Sequence, residues 1–353
     1  MIPSMAKAAS RFRMRLPPRV WSRWPNERLL DLPLRNLDLS IEGTILEERI
    51  EKVAQELESR NIRFRPRFWL SDDWFTPDGC TGSAIPFYLA HPRLTRLERS
   101  QMGEVEGGTH DWCMMLLRHE VGHALDNAFV LHRRRRRQQL FGLSSHSYPR
   151  FYRPNPYSKR YVQHLEYWYA QSHPDEDFAE TFAVWLKPRS GWRKQYQGWP
   201  ALKKLEYVDE LMSEIAGEKP AILNRTRGDA LPSLRKTLRE HYALKRAAYG
   251  GEYPGWYDED LKRLFTNTRV GKKRETAAAF IRRVRPELLR KVSPWMGNNR
   301  YVLDQLLYDL AGRCRDLRLR VRGSERRAKS ELAIVLTKQA VDYVYRRHRW
   351  VEV

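Results

Sequence analysis

Two histidines four residues apart, His119 and His123, enclose a glutamate in the segment Leu117-Arg118-His119-Glu120-Val121-Gly122-His123-Ala124. On a helix, positions i and i+4 lie about 40° apart around the axis, so both imidazoles can reach one metal ion. Glu120, beside the first histidine, can then take a proton from a water that the metal holds. A catalytic zinc takes three protein donors and keeps one position open, so the pair is one ligand short.

Two continuations could supply that ligand. The pattern HExxHxxGxxH fails, because Asp126 stands where the glycine belongs and Phe129 where the third histidine belongs. The other is a carboxylate on a later helix, and His173-Pro174-Asp175-Glu176-Asp177-Phe178-Ala179-Glu180-Thr181-Phe182-Ala183 offers one. Glu176 and Glu180 are four apart and project from one helical face, while Phe178, Phe182 and Trp185 lie on another and can pack into a core. The small residues Ala179 and Ala183 let a neighbouring helix approach closely. On this reading Glu176 is the third ligand, and Glu180 accepts an N–H from a ligating imidazole, fixing its orientation. Taken alone, the segment also reads as an amphipathic helix with solvated acids, and His146, His164 and His173 remain rival ligands.

HEVGHALD followed by a Tyr-x6-Glu-x-x-x-Glu stretch resembles the gluzincin metallopeptidases. More narrowly, RHEVGHALDNAF with SHPDEDFAETFAVWL is similar to the bacterial putative zinc-binding metallopeptidase family, over roughly residues 62 to 216. The resemblance implies one catalytic zinc ion held by His119, His123 and Glu176, with Glu120 as general base and a peptide or protein as substrate. It also implies that Tyr169, seven residues before Glu176, helps to stabilise the transition state, with Tyr167 and Tyr161 as nearby rivals. Thermolysin-like enzymes carry ExxxD where this chain has ExxxE, so the role of Glu180 is by analogy. Asp126, three residues after His123, is a further candidate carboxylate behind the ligands, or equally a helix-surface acid.

These side chains need helices to present them. Thr109 or Asp111 is a suitable N-cap for a helix running to about Leu131, apolar over much of its circumference through Trp112, Met115, Leu116, Val121, Leu125 and Phe129. The run Arg133 to Arg137 reads as cations closing that helix against its dipole. A loop rich in Ser, Pro, Tyr and Gly over 138–156 is long enough to line a cleft. Helices are expected at about 158–171, from Pro174 to Leu186 and at about 200–216. Upstream, Ile45, Ile50, Val53 and Leu57 form a helical stripe. Residues 62–70, 84–89 and 103–107 are candidate short strands, the first interrupted by Pro66. The expected fold is α+β, mostly α. It comprises a basic arm over 1–33, a zincin-like domain over 34–216 with a small sheet packed on the active-site helix, a linker over 217–232 and a basic all-α region over 233–353. Long helices are expected there near 272–292 and 324–347.

Composition bounds the partners. The 353 residues carry 65 Lys and Arg against 43 Asp and Glu, a formal charge of +22, and residues 231–353 hold 29 Lys and Arg against 14 Asp and Glu. That surplus suits nucleic acid or another polyanion, although solvated arginines explain it equally well. Three cysteines with no CxxC pair argue against a disulfide framework and exclude a cysteine zinc ribbon. No apolar run approaches a membrane span, the basic N-terminus lacks the apolar core of a secretory signal, and the cytoplasm is the expected location. Besides a soluble zinc metallopeptidase, two further readings stand: a DNA-associated, SprT-like protease recruited through its basic region, and a metal-stabilised binding protein without catalysis. The free acid Glu120 argues against the last.

Overall fold

The computed structural model describes residues 19–102, 104–149, 151–152, 154–155, 157–249, 258–267, 274–295, 300–342 and 351–352. The chain is α+β and mostly helical. Helix α1 (Asn26–Leu30) is followed by α2 (Ile45–Glu58), which Thr44 caps by accepting the Leu46 N–H at 3.2 Å. Glu47 and Glu48 in its first turn complement the dipole.

Strands β1 (Arg67–Ser71) and β2 (Gly82–Pro86) pair in parallel, Arg67 opposite Gly82 and Ser71 opposite Pro86. The connection between them is too short for a helical crossover. It folds back instead, and Phe75 bridges antiparallel to Ala84. A Cβ on Gly82 would stand 2.3 Å from the Arg67 carbonyl oxygen, so this pairing needs glycine there. The first strand expected from sequence begins only after Pro66, which has no N–H to give a ladder. The second ends at Pro86, where Phe87–Ala90 winds into a 3-10 turn. The third candidate, 103–107, forms no strand in its described residues: Gly107 adopts φ +68° in a turn, and Gly103 lies outside them.

Helix α3 (Pro92–Met102) leads to α4 (His110–Phe129), whose N-cap Thr109 accepts the Trp112 N–H at 3.2 Å. Leu117, Val121, Ala124 and Leu125 are fully buried, as an internal helix requires. The helix stops at Phe129, short of the expected Leu131. Val130 turns left-handed with φ 54°, and the Asp126 carboxylate accepts the His132 N–H at 2.5 Å, holding the reversal. The arginine run therefore does not close α4. It opens α5 (Arg135–Phe141), and Arg137 is completely buried rather than part of a positive surface.

After β3 (Phe151–Tyr152), the helix expected over 158–171 reduces to a 3-10 segment, Glu166–Gln171. Tertiary partners take the backbone donors that a helix would have used: Tyr196 Oη accepts the Gln163 N–H at 3.0 Å and Glu180 the Leu165 N–H at 2.9 Å. Helices α6 (Pro174–Leu186), α7 (Trp192–Gln195), α8 (Ala201–Glu214) and α9 (Leu238–Tyr249) follow.

One core extends from Trp21 and Leu29 to Leu238 and Tyr242. Residues 19–33 of the expected arm thus belong to it, and residues 1–18 lie outside the described residues. The expected linker is likewise bound to the small sheet. Asn224, Gly228 and Asp229 offer carbonyls to Thr81 Oγ1 at 2.8 Å, Trp69 Nε1 at 2.8 Å and Ser71 Oγ at 2.6 Å. Composition marks 217–232 as irregular, but irregular backbone still has carbonyls to share. A second core, Leu261 to Ala340, is built by α10 (Asp258–Leu264), α11 (Ala277–Val292), α12 (Arg300–Asp316) and α13 (Glu325–Asp342), with the pair β4 (Phe265–Thr266) and β5 (Arg320–Val321). Strand β6 (Val351–Glu352) pairs antiparallel with β3. Cys80, Cys113 and Cys314 are free and buried. No helix among the described residues is long and apolar enough to cross a membrane.

Candidate metal centre

Three buried polar links hold the two helices that carry the motif residues. Arg118 of α4 makes a bidentate pair with Glu56 of α2, both contacts 2.8 Å. Lys204 of α8 reaches Asp177 of α6 at 2.5 Å. Arg137 of α5 binds Asp126 of α4 at 3.1 Å and also Asp175 of α6, joining the two helices directly.

Between α4 and α6, one ligand atom each of His119, His123 and Glu176 converge, all within 4.8 Å of one another. Nε2 of His119 and Nε2 of His123 are 3.1 Å apart, and Oε2 of Glu176 is 3.0 Å from the first and 3.2 Å from the second. Donors about 2.1 Å from a tetrahedral zinc ion lie about 3.4 Å from each other. A relaxation of a few tenths of an ångström therefore admits the ion, and two imidazoles with a carboxylate suit zinc chemically. The donor set fits.

The surroundings fix the ligands. Nδ1 of His119 lies 3.0 Å from Oε1 of the fully buried Glu180, an acceptor, so Nδ1 carries the proton and Nε2 is left for a metal. Oε2 of Glu180 accepts the Leu165 N–H. Glu176 sits in the first turn of α6, which Pro174 opens and His173 caps by accepting the Asp175 N–H at 3.2 Å. Burial works against a charged Glu176, but the attraction of His123 and hydrogen bonds from both imidazoles outweigh it and hold the carboxyl well below its ordinary range. Burial works against a charged His119 as well, but hydrogen bonds to and attraction by Glu176 and Glu180 outweigh it and hold the imidazole well above its usual value. The constellation favours a positive charge at its centre.

Glu120 points to the same place and is buried, and its Oε2 accepts from Thr76 Oγ1 at 2.8 Å. Burial raises its carboxyl, opposed by the two histidines. Tyr169 lies with its ring 5.8 Å from that of His119, and burial followed by repulsion from Glu176 and Glu120 pushes its phenol well above the ordinary value. It remains a donor. Asp126 serves otherwise than expected: it is buried and its oxygens are bound by His132 and Arg137, so it is neither a surface acid nor a hydrogen-bond partner of His119 or His123.

The rivals are placed elsewhere. His164 faces the Met115 carbonyl at 3.1 Å, His146 is exposed and His173 caps α6. Tyr161 lies under the Lys204 ammonium, 4.4 Å from its ring centre. The Tyr167 side chain lies outside the described residues. Three contributors were not read from sequence: Thr76, Arg137 and Tyr148, whose hydroxyl donates to Oε1 of Glu176 at 2.8 Å. Only Tyr148 had a signal, its place in a loop long enough to line a cleft.

The centre opens into a cleft of about 930 Å³. Its lining runs from the metal-site residues to a strongly acidic part with Asp73, Glu98, Glu104 and Glu106, where Lys245 pairs with Glu98 at 2.8 Å. Residues 99–195, which contain both motif helices, match the family model described as "Putative zinc-binding metallo-peptidase". That match supports a metallopeptidase in general and a zinc-binding one in particular. No curated protein and no solved structure matches the chain.

Proposed function

We propose that the cleft is the active site of a zinc metallopeptidase of the gluzincin type, with a zincin-like arrangement around α4 and α6. The observation that carries this reading is the convergence of His119 Nε2, His123 Nε2 and Glu176 Oε2 within 3.2 Å, beside the buried carboxyl of Glu120. Zinc bound by these three would act as a Lewis acid, polarising a water and a substrate carbonyl. Glu120 takes the proton as the water oxygen bonds to the carbonyl carbon, and delivers it to the leaving nitrogen as the carbon–nitrogen bond breaks. A carboxyl raised by burial is suited to both steps. Thr76 orients it through the bond to Oε2. Tyr169, a permanent donor in the cleft, offers its hydroxyl to the oxygen on which charge develops.

A closed structural metal site is completed by a fourth protein ligand. Among the described residues only three donors converge, and they face a cleft, which favours catalysis over a purely stabilising metal. The surplus of cations over 231–353 supports a second role, docking on nucleic acid or another polyanion. Binding that weakens steeply with salt would be its signature.

Replacing Glu120 by Gln and Glu176 by Gln separates the roles. E120Q is expected to keep its zinc by metal analysis and to lose cleavage of an unfolded protein substrate by about 10²-fold or more. E176Q is expected to lose the zinc. Parent-level cleavage by E120Q would sink the mechanism. Zinc retained by E176Q but lost by Glu180→Gln would move the third ligand by one helical turn.

A further inference from the structure

We propose that Tyr148 is a positioning residue of the metal centre: its hydroxyl holds Oε1 of Glu176, so that the carboxylate presents a single oxygen, Oε2, to the histidine pair. The inference rests on the ligand reading given above, but on a different side chain and a different contact.

The geometry is specific. Oε2 of Glu176 lies 3.0 Å and 3.2 Å from the two imidazole nitrogens, while Oε1 accepts from Tyr148 Oη at 2.8 Å. A carboxylate can bind a metal through one oxygen or both. A phenol donating to one oxygen occupies a lone pair that would otherwise be free to swing toward the ion. The donor is dependable, because an ordinary tyrosine phenol is protonated at neutral pH.

Tyr148 can hold that oxygen only if it is itself held. Its ring stacks on the imidazole of His173, with centroids 3.8 Å apart and planes within 17°. His173 is the N-cap of α6, buried, with Nε2 donating to the His146 carbonyl at 2.9 Å. Two residues earlier, Ser144 Oγ donates to Asp175 at 2.5 Å. A Cβ on Gly142 would stand 2.9 Å from Pro174 Cγ, so the strand of loop begins in close contact with the same turn. Residues 142–148 thus run along the first turn of α6, with Ser144, His146 and Tyr148 bound to Asp175, His173 and Glu176 in turn. This strap lines the cleft through Ser144 and Tyr148. The wall that substrate would touch and the ligand that holds the metal are therefore one mechanical unit.

The test uses the full-length protein. Tyr148→Phe removes the hydroxyl and keeps the ring that stacks on His173. Zinc affinity, measured by competition with a chromophoric chelator, is expected to fall about 10- to 100-fold, the usual effect of removing a hydrogen bond to a metal ligand. The melting temperature of the metal-free protein should be unchanged. The cobalt-substituted protein should show a weaker visible absorption, as the freed Oε1 joins the coordination. Zinc affinity within twofold of the parent would overturn the proposal, provided E176Q in the same assay loses zinc. A fall in affinity matched by a lower melting temperature of the metal-free protein would also overturn it, since Tyr148 would then act only on the fold. If E176Q binds zinc as the parent does, the failure lies in the ligand assignment and not in Tyr148.

Discussion

Gly122 lies against the backbone of Ala179: a Cβ on Gly122 would stand 2.9 Å from the Ala179 Cα and 3.2 Å from its carbonyl oxygen. Gly122 is the residue just before the second histidine of the motif, and Ala179 is the residue just before Glu180. This close approach of α4 and α6 therefore falls within one turn of every candidate ligand. Two small residues set the separation at which imidazole nitrogens on one helix meet carboxylate oxygens on the other.

Gly122→Ala tests this spacing. Alanine gains about 1 kcal/mol in helix propensity, while a methyl forced into packed backbone costs about 1–3 kcal/mol. The net stability loss in chemical denaturation is expected to be small, about 1 kcal/mol. Zinc affinity should fall more than stability does, by 10-fold or more, because the donors are moved apart. An unchanged affinity in a competition titration would show that the helix spacing is not what sets the donor geometry.

Much of this centre is legible in the residue order. The i, i+4 pairs His119/His123 and Glu176/Glu180, the Thr109 cap, Pro174 opening α6 and the small Ala179 are local patterns whose physics is helical geometry. The remainder comes from tertiary contacts. Arg137 sits in a run of five arginines and nothing in that run says which one is buried; the reversal at Val130, held by Asp126, decides it. Thr76 and Tyr148 come from connections whose paths depend on the surfaces they cross. The same holds for residues 158–165, where the Gln163 and Leu165 N–H groups are bound by Tyr196 and Glu180 instead of forming the helix their composition suggests.

Arg137 should prove a stability determinant. It is fully buried and holds Asp126 of one metal-bearing helix and Asp175 of the other. Arg137→Met keeps volume but leaves two carboxylates without their cation. Breaking a buried pair in this way costs about 3–5 kcal/mol. Urea denaturation should show that loss, and the double variant R137M/D126N should recover part of it. A change under 1 kcal/mol for R137M would mean that water replaces the guanidinium.

Glu180→Gln probes the orientation of His119 separately from its ligation. The amide oxygen can still accept from Nδ1, but the charge that raises the basicity of the imidazole is gone. Zinc should still bind at saturation, with affinity reduced about 10- to 100-fold. A competition titration resolves this from E176Q, which should not bind at all. Parent-like affinity in E180Q would leave Glu180 as a structural acceptor for Leu165 alone.

The acidic part of the cleft gives stability a pH dependence. Burial, then repulsion from Glu166 and Glu106, pushes the Glu104 carboxyl up to about 8. Burial, then repulsion from Asp73, pushes that of Glu106 up to about 7, against the attraction of Lys245. Both start from an ordinary value of 4.5. Raised carboxyls bind protons more tightly in the folded protein than in the unfolded chain. Their effect is therefore absent below pH 4.5, and stability falls progressively as pH rises through the window up to about 8. Glu104→Gln and Glu106→Gln remove the ionisation. In the metal-free protein each should match the parent near pH 4 and be more stable at pH 8, with the Glu106 variant reaching its full gain at the lower pH. Denaturation midpoints across that range measure it. A parent whose stability does not fall across the window, or variants that gain nothing at pH 8, would show that the cleft is already supplied with compensating charge.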